Sequence, residues 1–308
     1  MKYTIIITVY NKEKYIERAL KSALNQTIKN YQVMIVNDGS TDNSEKIIKK
    51  YQKEYKFKYY KKDNTGIADT RNFAIEKVDT KYFLFLDADD YISLDLLEQA
   101  DKYSDYDLLS FNAINFDENQ CYIKNMNKPL YKGNGEDFFE KLVKEKSEFT
   151  VPWGYIYKTE YIKKNEFKYP KGKILEDYYL TPFIIIECKK IISIDYIGYY
   201  YITNKNSIIN SEKKIIAETY LDHFEKMSEK IIKYNEKTQK NFKSFLAGTL
   251  IWYGSLLKGK YKKYYIRKLK SNKIVKLLDR PKIRKTIVNI MFNMNIYYPI
   301  RKILKGGR

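Results

Sequence analysis

The sequence predicts an α/β fold in which a mainly parallel sheet is flanked by helices. Over the first 100 residues, short apolar runs rich in β-branched residues alternate with segments of helical periodicity. Strand–helix repeats of this length form parallel sheets with right-handed crossovers, which is the Rossmann-like arrangement. Polar residues directly follow several of the apolar runs, at the strand ends where such sheets bind their ligands.

The elements can be assigned in chain order. Four strands are expected in the first 90 residues, at 3–9, 32–37, 57–60 and 82–86. Amphipathic helices separate them; in the first, which Asn11 can cap, Ile16 and Leu20 lie on one apolar face. Further on, strands are expected at 106–113 and 191–201 and helices at 136–146 and 178–188. From residue 212 onward the pattern is helical.

The composition argues against several kinds of chemistry. The chain has 308 residues, of which 44% are hydrophobic, as in globular proteins. Cys121 and Cys188 cannot build a disulfide framework and favour a reducing, cytoplasmic setting. A single histidine, His223, argues against a His-based zinc site or a Ser-His-Asp triad. The first residues lack the features of a signal peptide, and no window of 18 apolar residues predicts a transmembrane helix.

The positive charge is concentrated in the last third of the chain. Residues 213–308 contain 25 of the 58 basic and 6 of the 38 acidic residues, so they carry +19 of the net charge of +20. We therefore expect a domain boundary near residue 212, followed by a basic helical region over 213–308. Such a region predicts an anionic partner.

The stretch YFLFLDADDY ends a predicted buried strand in three carboxylates. Asp87 and Asp89 are separated by one residue, so both could reach one Mg²⁺ or Mn²⁺ ion, which prefers oxygen ligands and keeps positions for phosphates. The alternative is a solvated turn that begins the next helix. For Asp90, a role as only the structural cap of such a turn stays open even if the other two acids bind a cation.

Other charged residues fit both a structural and a functional interpretation. Asp38, in VNDGS, can accept hydrogen bonds from a nucleotide or cap the next helix. Arg71 lies in an otherwise apolar helix face, where its guanidinium requires a carboxylate or a phosphate. Glu176 and Asp177 open a helix, which suits the helix dipole but also allows a general base.

Four segments together resemble a known family. ITVYNKEKYIERALKSALNQT, VNDGSTDNS, NTGIADTRN and YFLFLDADD occur in this order and are similar to the motifs of the inverting family 2 glycosyltransferases of GT-A fold. The segment WGYIYK, followed by Glu176 and Asp177, looks like the acceptor-side pattern of that family. The resemblance covers roughly residues 1–200 and implies a GT-A catalytic domain over 1–212. Its nucleotide-binding half would be 1–100 and its acceptor-binding half 101–212.

The resemblance also implies a reaction and the residues that carry it. A nucleotide sugar, expected to be UDP-linked, would be the donor, Mn²⁺ or Mg²⁺ the cofactor, and a glycan, polymer or lipid-linked carrier the acceptor, in the synthesis of a cell-surface polysaccharide such as a capsule or cell-wall polymer. Asp177 would be the catalytic base, supported by Glu176, and Trp153 would help form the acceptor or sugar pocket. The implied nucleotide-binding residues are Thr8, Tyr10, Asp38, Asn64, Arg71 and Asp87, and the implied metal ligands are Asp89 and Asp87.

The basic region allows several partners. Between residues 258 and 285, basic residues interleave with tyrosines, and Asp279 is the single acid. A helix expected from Pro281 to Pro299 has a polar stripe and an apolar remainder, which favours peripheral binding of 258–308 to the inner, anionic face of the cell membrane. The alternatives are packing on the catalytic domain, binding of a polyanionic acceptor, and nucleic-acid binding without a recognisable motif. A non-catalytic membrane- or nucleic-acid-binding protein is the rival function.

Overall fold

A computed structural model of the chain describes residues 1–204 and 213–271. The predicted helix between Pro281 and Pro299 lies outside these described residues. The chain divides into two compact units, Met1–Lys205 and Asn206–Arg308.

The first unit is built on a ten-stranded sheet. Its strands are β1 (Tyr3–Val9), β2 (Tyr31–Asp38), β3 (Lys58–Lys62), β4 (Tyr82–Asp87), β5 (Tyr91–Ile92), β6 (Leu108–Asp117), β7 (Tyr122–Met126), β8 (Tyr131–Gly133), β9 (Tyr155–Lys158) and β10 (Ile191–Thr203). The order is β3-β2-β1-β4-β9-β6-β10-β5, with β7 beside β6 and β8 beside β10. β1 to β4 pair in parallel, as predicted, whereas β9 lies antiparallel between β4 and β6. The sheet is therefore parallel in its first half and mixed in its second.

Helices flank this sheet. They are α1 (Ile16–Leu24), α2 (Ser44–Gln52), α3 (Ile67–Lys77), α4 (Leu96–Asp101), α5 (Gly135–Glu145), α6 (Thr159–Lys164) and α7 (Glu176–Ile186). The buried face of α1, with Ala19 and Leu20, shares one apolar core with Ile5 and Ile7 of β1. Burying the leucine and isoleucine side chains stabilises the fold by about 1.5–3 kcal/mol each, relative to leaving them exposed. This core holds the ends of β1 and β4 in fixed register.

Asn11 does not cap α1, which is a correction of the sequence-based expectation. Its φ of 50° lies in the left-handed region, and α1 begins only at Ile16. The Asn11 side-chain oxygen instead accepts a hydrogen bond from the backbone N–H of Thr41 at 2.8 Å. Asn11 therefore ties the end of β1 to the turn that follows β2.

The second unit is helical where the structure describes it. Its helices are α8 (Lys213–Lys230), α9 (Glu236–Leu256) and α10 (Gly259–Ser271). Leu246 and Leu250 of α9 and Tyr265 and Leu269 of α10 are buried. Among the described helices of either unit, none is long and apolar enough to cross a membrane.

Candidate active site

The ends of β1, β2 and β4 bring predicted site residues to one edge of the sheet. The parallel register places Thr8 of β1 directly beside Asp87 of β4, and Asp38 is the last residue of the neighbouring β2. Thr8 and Asp38 are buried, whereas Tyr10 is 46% exposed just beyond β1. The carboxyl ends of parallel strands are where sheets of this type bind ligands.

Asp38 is held by groups of the protein itself. Its carboxylate accepts hydrogen bonds from the backbone N–H groups of Thr65, at 3.1 Å, and Gly66, at 3.0 Å. The ammonium group of Lys62 also donates to it. These contacts fix the turn that carries the exposed Asn64. Asp38 thus helps to fix the backbone next to Asn64. Direct contact of either residue with a nucleotide stays a prediction.

Arg71 connects acidic residues from two different elements. Its Nη2 donates to Asp87 Oδ1 at 3.1 Å and its Nη1 donates to Glu176 Oε1. The side chain is buried, and the guanidinium lies over the rings of Phe85 and Tyr169 at 5.7 and 5.6 Å. Burial by itself would lower the pKa of Arg71, but Asp87 and Glu176 raise it above its ordinary value. Arg71 is therefore a permanent cation that joins the end of β4 to the start of α7.

Glu176 and Asp177 are presented by a strained turn. Leu175, directly before them, has φ 57° and ψ 37°, a left-handed conformation that costs a non-glycine residue about 1–3 kcal/mol. Glu176 is bound by Arg71, whereas Asp177 Oδ1 accepts a hydrogen bond from the backbone N–H of Tyr178 at 2.7 Å. The backbone conformation of Leu175 thus sets the orientation of the first turn of α7, which carries the two carboxylates.

The two carboxyl groups at the start of α7 hold protons more tightly than free acids do. Burial and the charge of Asp177 raise the pKa of Glu176 to about 7, against the opposing effect of Arg71. Burial also raises the pKa of Asp177, again opposed by Arg71. Because neighbouring acids titrate as a pair, the pair takes up its first proton at a higher pH than an isolated carboxyl group does.

Lys12 is a site residue that the sequence analysis missed. Its Nζ lies 2.5 Å from Asp89 Oδ2, which also accepts a hydrogen bond from Asn204 Nδ2 at 2.9 Å. Burial by itself would lower the pKa of Lys12, but Asp89 raises it. The signal was present in the sequence, because Lys12 follows Tyr10 at the end of a strand that neighbours β4. Asn204 had no comparable signal, since its contact depends on how β10 is placed in the sheet.

Asp90 has a structural role, but it does not cap a helix as expected, because β5 follows it and α4 begins only at Leu96, with Asp95 as its N-cap. It is buried, and its two oxygens accept hydrogen bonds from the hydroxyl of Tyr199 and the backbone N–H of Ile202, both at 2.7 Å. The Tyr199 hydroxyl also accepts a hydrogen bond from the backbone N–H of Asp87 at 3.2 Å. Burial, with the charges of Asp89 and Asp87 adding to it, raises the pKa of Asp90 well above its usual range.

Trp153 lies behind the acidic turn. Its indole is 3% exposed and stacks on the ring of Tyr199, with 4.1 Å between ring centroids. The Tyr199 hydroxyl is hydrogen-bonded to both Asp87 and Asp90. By stacking on the ring of Tyr199, Trp153 therefore stabilises the position of the acidic turn. Its predicted contact with the acceptor or the sugar stays a prediction.

Asp87 and Asp89 have the oxygen atoms that a divalent cation requires. Each uses one carboxylate oxygen in the contacts described above, and within the described residues the other oxygen of each has no hydrogen bond. Nowhere in residues 1–204 and 213–271 do three acidic, histidine or cysteine side chains converge to enclose a metal ion. Mg²⁺ is commonly held by one or two carboxylates together with substrate phosphates, so the pair fits such an ion bound with a diphosphate.

Comparison with known proteins identifies relatives of this chain. The sequence profile described as "Glycosyl transferase family 2" matches residues 4–164. Glycosyltransferase GlyA of Streptococcus pneumoniae serotype 4 is 29% identical over 219 residues, covering 67% of this chain and 31% of that protein. The poly(ribitol-phosphate) beta-glucosyltransferase of Bacillus spizizenii is 32% identical over 218 residues, covering 67% of this chain and 33% of that protein. The chain thus spans about a third of the length of these two relatives.

A solved structure confirms the fold. S. aureus TarS 1-349 in complex with UDP is similar with a TM-score of 0.70 at 20% identity, covering 100% of this chain and 92% of that one. The predicted α/β class, with a central sheet flanked by helices as in GT-A proteins, is thereby confirmed. The matched profile covers more than half of the sequence and includes the ends of β1, β2 and β4 that form the site. The chain belongs to glycosyl transferase family 2.

Proposed function

We propose that the first unit transfers a sugar from a UDP-linked donor to a hydroxyl group of a glycan, polymer or lipid-linked acceptor during synthesis of a cell-surface polysaccharide. The observation that carries this proposal is the Arg71 bridge, in which one guanidinium contacts both Asp87 and Glu176. It connects the strand ends expected to bind the nucleotide with the helix start expected to supply the base. The UDP bound in TarS and the ribitol-phosphate polymer named for the Bacillus relative support the choice of donor and acceptor.

On the donor side, we assign Thr8, Tyr10, Asp38 and Asn64 to the nucleotide. Arg71 and Lys12 hold positive charge beside the acidic turn, where the diphosphate of the donor would lie. Because both cations are already paired with carboxylates, they neutralise the turn itself and allow a phosphate group to approach it. Mg²⁺ or Mn²⁺ held by Asp87 and Asp89 would stabilise the negative charge that develops on the leaving diphosphate.

On the acceptor side, we assign Asp177 as the general base. It removes the proton from the acceptor hydroxyl, whose oxygen forms a bond to C1 of the sugar as the bond from C1 to the diphosphate oxygen breaks. Attack from the opposite face inverts the configuration at C1 and needs no covalent intermediate on the protein. Glu176, fixed by Arg71, supports Asp177 by holding the start of α7 in place. A carboxylate in this role is expected to contribute about 10²–10⁴-fold to the rate.

A donor screen tests this proposal. The full chain is incubated with a panel of UDP-, GDP-, CMP- and dTDP-sugars in the presence of Mn²⁺, Mg²⁺ or EDTA, and nucleotide release is measured. We expect release of UDP, with strong loss in Arg71→Ala and none in the matched variant Arg267→Ala, whose side chain is exposed on α10. If no nucleotide sugar is bound or cleaved under any of these conditions, the proposal is wrong and a non-catalytic function is favoured.

For the second unit, we propose binding to the anionic inner face of the cell membrane. α10 contains no acidic residue, and Tyr264 is exposed among its basic side chains. Its exposed basic residues are Lys260, Lys263, Arg267, Lys268 and Lys270. Each basic residue near an anionic bilayer contributes about 1 kcal/mol, and this contribution weakens with salt.

Liposome sedimentation distinguishes the membrane from nucleic acid. We expect the chain to bind vesicles with anionic lipid and not vesicles of phosphatidylcholine alone. The double variant Lys263→Glu/Arg267→Glu should lose this binding, whereas Lys29→Glu/Lys164→Glu, with the same charge change on exposed residues of the first unit, should keep it. Stronger binding to a nucleic-acid duplex than to anionic vesicles at equal salt would contradict the membrane proposal.

A further inference from the structure

We infer that a groove over α1 is a second binding site, separate from the reaction centre, for a neutral glycan chain. The inference rests on the proposed function, because it assigns to a glycosyltransferase domain a place where a saccharide chain is held away from the atoms that react. The groove has a volume of about 960 Å³ and lies in the first unit. Its lining is distinct from the residues proposed to bind the donor or to act as the base.

The floor of the groove is one face of α1. Arg18, Ser22 and Asn25 follow one another at helical spacing and all line it. The walls come from the end of α2 and the residues after it on one side, and from β5, the segment after it and Tyr200 of β10 on the other. A chain molecule can therefore lie along the helix with contacts on both sides.

Tyrosine rings dominate the walls. Tyr91 and Tyr200 stack with 4.6 Å between centroids and an interplanar angle of 3°, and Tyr51 and Tyr55 stack at 6.0 Å. Leu94 adds an apolar side chain that is 51% exposed. Tyrosine combines a flat apolar ring with a polar edge, which matches a sugar ring with its C–H surface and its hydroxyl groups.

The charges that line the groove are of mixed sign and nearly balanced, so they offer a polyanion no uniformly positive surface. Asp95 and Glu54 line it together with three basic side chains, those of Arg18, Lys21 and Lys50. Hydrogen bonds from the hydroxyls of Ser93 and Tyr196 lower the pKa of Asp95 to about 2, so it stays ionised at any physiological pH. A chain of phosphates would approach both carboxylates, whereas sugar hydroxyls can donate to the acids and accept from the bases.

The groove adjoins the reaction centre through Arg18. Its Nη2 donates to the backbone oxygen of Asp89 at 2.6 Å, and its guanidinium lies over the ring of Tyr91 at 5.0 Å. A saccharide bound in the groove is therefore separated from the acidic turn by a single side chain. An acceptor long enough to occupy both places would be retained near the reaction centre, because its second contact forms at a high effective concentration.

The inference can be tested with neutral oligosaccharides and a matched set of variants. The full chain is titrated calorimetrically with maltohexaose, cellohexaose and chitohexaose, and with inorganic polyphosphate as the anionic probe. The variants Tyr55→Ala and Leu94→Ser alter the groove, and Tyr122→Ala removes a ring that is 60% exposed on β7, outside it. Thermal unfolding checks that each variant is folded, and UDP affinity is measured on the same samples.

We expect at least one neutral hexasaccharide to bind, with affinity at least fivefold lower in Tyr55→Ala and Leu94→Ser and unchanged in Tyr122→Ala. UDP affinity should stay the same in all three variants. Failure of all three hexasaccharides to bind the unaltered chain, binding that both groove variants retain, or preferential binding of polyphosphate would overturn the inference. Because UDP affinity and UDP release are measured separately, these outcomes are distinguishable from failure of the proposed transferase function.

Discussion

The three carboxylates of the segment Asp87-Ala88-Asp89-Asp90 are each stabilised in a different way. Asp87 is paired with Arg71 and Asp89 with Lys12, so two of the three negative charges have a cation from another part of the chain. Asp90 has no such partner among the described residues and relies on hydrogen bonds. Like charges so close can coexist because Arg71 and Lys12 offset two of them and the third carboxyl group holds its proton more readily.

Replacing Asp90 with Asn should stabilise the protein at high pH. Because the pKa of Asp90 is raised in the folded state, the folded chain binds more protons than the unfolded chain, and stability falls as pH rises from about 4 through the folded pKa. The side-chain oxygen of Asn can still accept the hydrogen bond from the backbone N–H of Ile202, but it carries no charge. We expect Asp90→Asn to raise Tm by about 2–4 °C at pH 8 and by less at pH 5. Asp90→Ala is the control that loses both hydrogen bonds and should lower Tm at both pH values. A larger gain for Asp90→Asn at pH 5 than at pH 8 would contradict this account.

The rate of transfer should rise with pH as the base loses its proton. The base acts only when deprotonated, and burial raises the pKa of Asp177 above its ordinary value, while the pKa of its neighbour Glu176 is raised to about 7. We expect kcat/KM, measured from pH 4.5 to 8.5, to increase and level off, with a midpoint above the pKa of an ordinary aspartic acid. In Glu176→Gln the like charge next to Asp177 is absent, so the midpoint should move to lower pH. A flat profile for the unaltered chain over this range would show that the pair does not control the rate.

At the scale of elements, a glycine sets the distance between β2 and the loop before α3. Gly39 has φ +72°, and a Cβ placed on it would lie 2.8 Å from the backbone nitrogen of Asn64 and 3.3 Å from the backbone oxygen of Lys62. Both atoms belong to the backbone, so they cannot move aside as the end of a flexible side chain could. The same loop is tied to Asp38 through Thr65 and Gly66, which makes this a rigid junction.

Gly39→Ala should therefore destabilise the first unit and weaken donor binding together. Strain at φ +72° and the backbone contact are expected to cost about 2 kcal/mol. The matched control is Gly248→Ala in α9, where an added Cβ meets nothing within 4 Å and should stabilise the helix by up to about 1 kcal/mol. Thermal unfolding and UDP titration measure the two effects. Unchanged stability and unchanged UDP affinity in Gly39→Ala would contradict the role given to this junction.

The strands that have a recognisable apolar run in the sequence were predicted. The strands that form only because they pair with a neighbouring strand were missed. The apolar runs of β1, β2 and β4 are long enough to be recognised, and their observed bounds differ from the predicted ones by about a residue. β7 lies between 113 and 136, where the sequence analysis assigns no element, and it forms by pairing with β6. β9 lies within the segment WGYIYK, for which no strand was predicted, and its antiparallel insertion beside β4 could not be inferred from residues 155–158 alone.

The same distinction holds for the site. The position of Thr8, Asp38 and Asp87 at one edge of the sheet could be predicted, because each lies at the end of a strand of the parallel half, whereas their contact with a nucleotide or a metal stays a prediction. The bridge from Arg71 to Glu176 could not, because it joins residues 105 positions apart and depends on where α7 lies. Tyr199 is one of several tyrosines in IGYYYIT, and the sequence does not distinguish the one that bonds Asp87 and Asp90.

At the scale of the whole molecule, charge and chemistry are divided between two units. The residues expected to bind the donor and to act on the acceptor all lie in Met1–Lys205, which also contains the family match at 4–164. The excess positive charge lies after residue 212. A domain boundary at 212 stays a prediction, as does the membrane partner, and both concern the second unit without altering the chemistry assigned to the first.

The central claim is that a carboxylate at the start of α7 acts as base on an acceptor hydroxyl while the strand ends hold the donor. It is tested most directly by comparing Asp177→Asn with the unaltered chain in both transfer rate and UDP-sugar affinity. We predict that transfer falls by about 10²–10⁴-fold while the affinity for the UDP-sugar changes less than threefold. Near-normal transfer by Asp177→Asn would contradict the claim. If Glu176→Gln lost transfer while Asp177→Asn kept it, Glu176 would be the base instead.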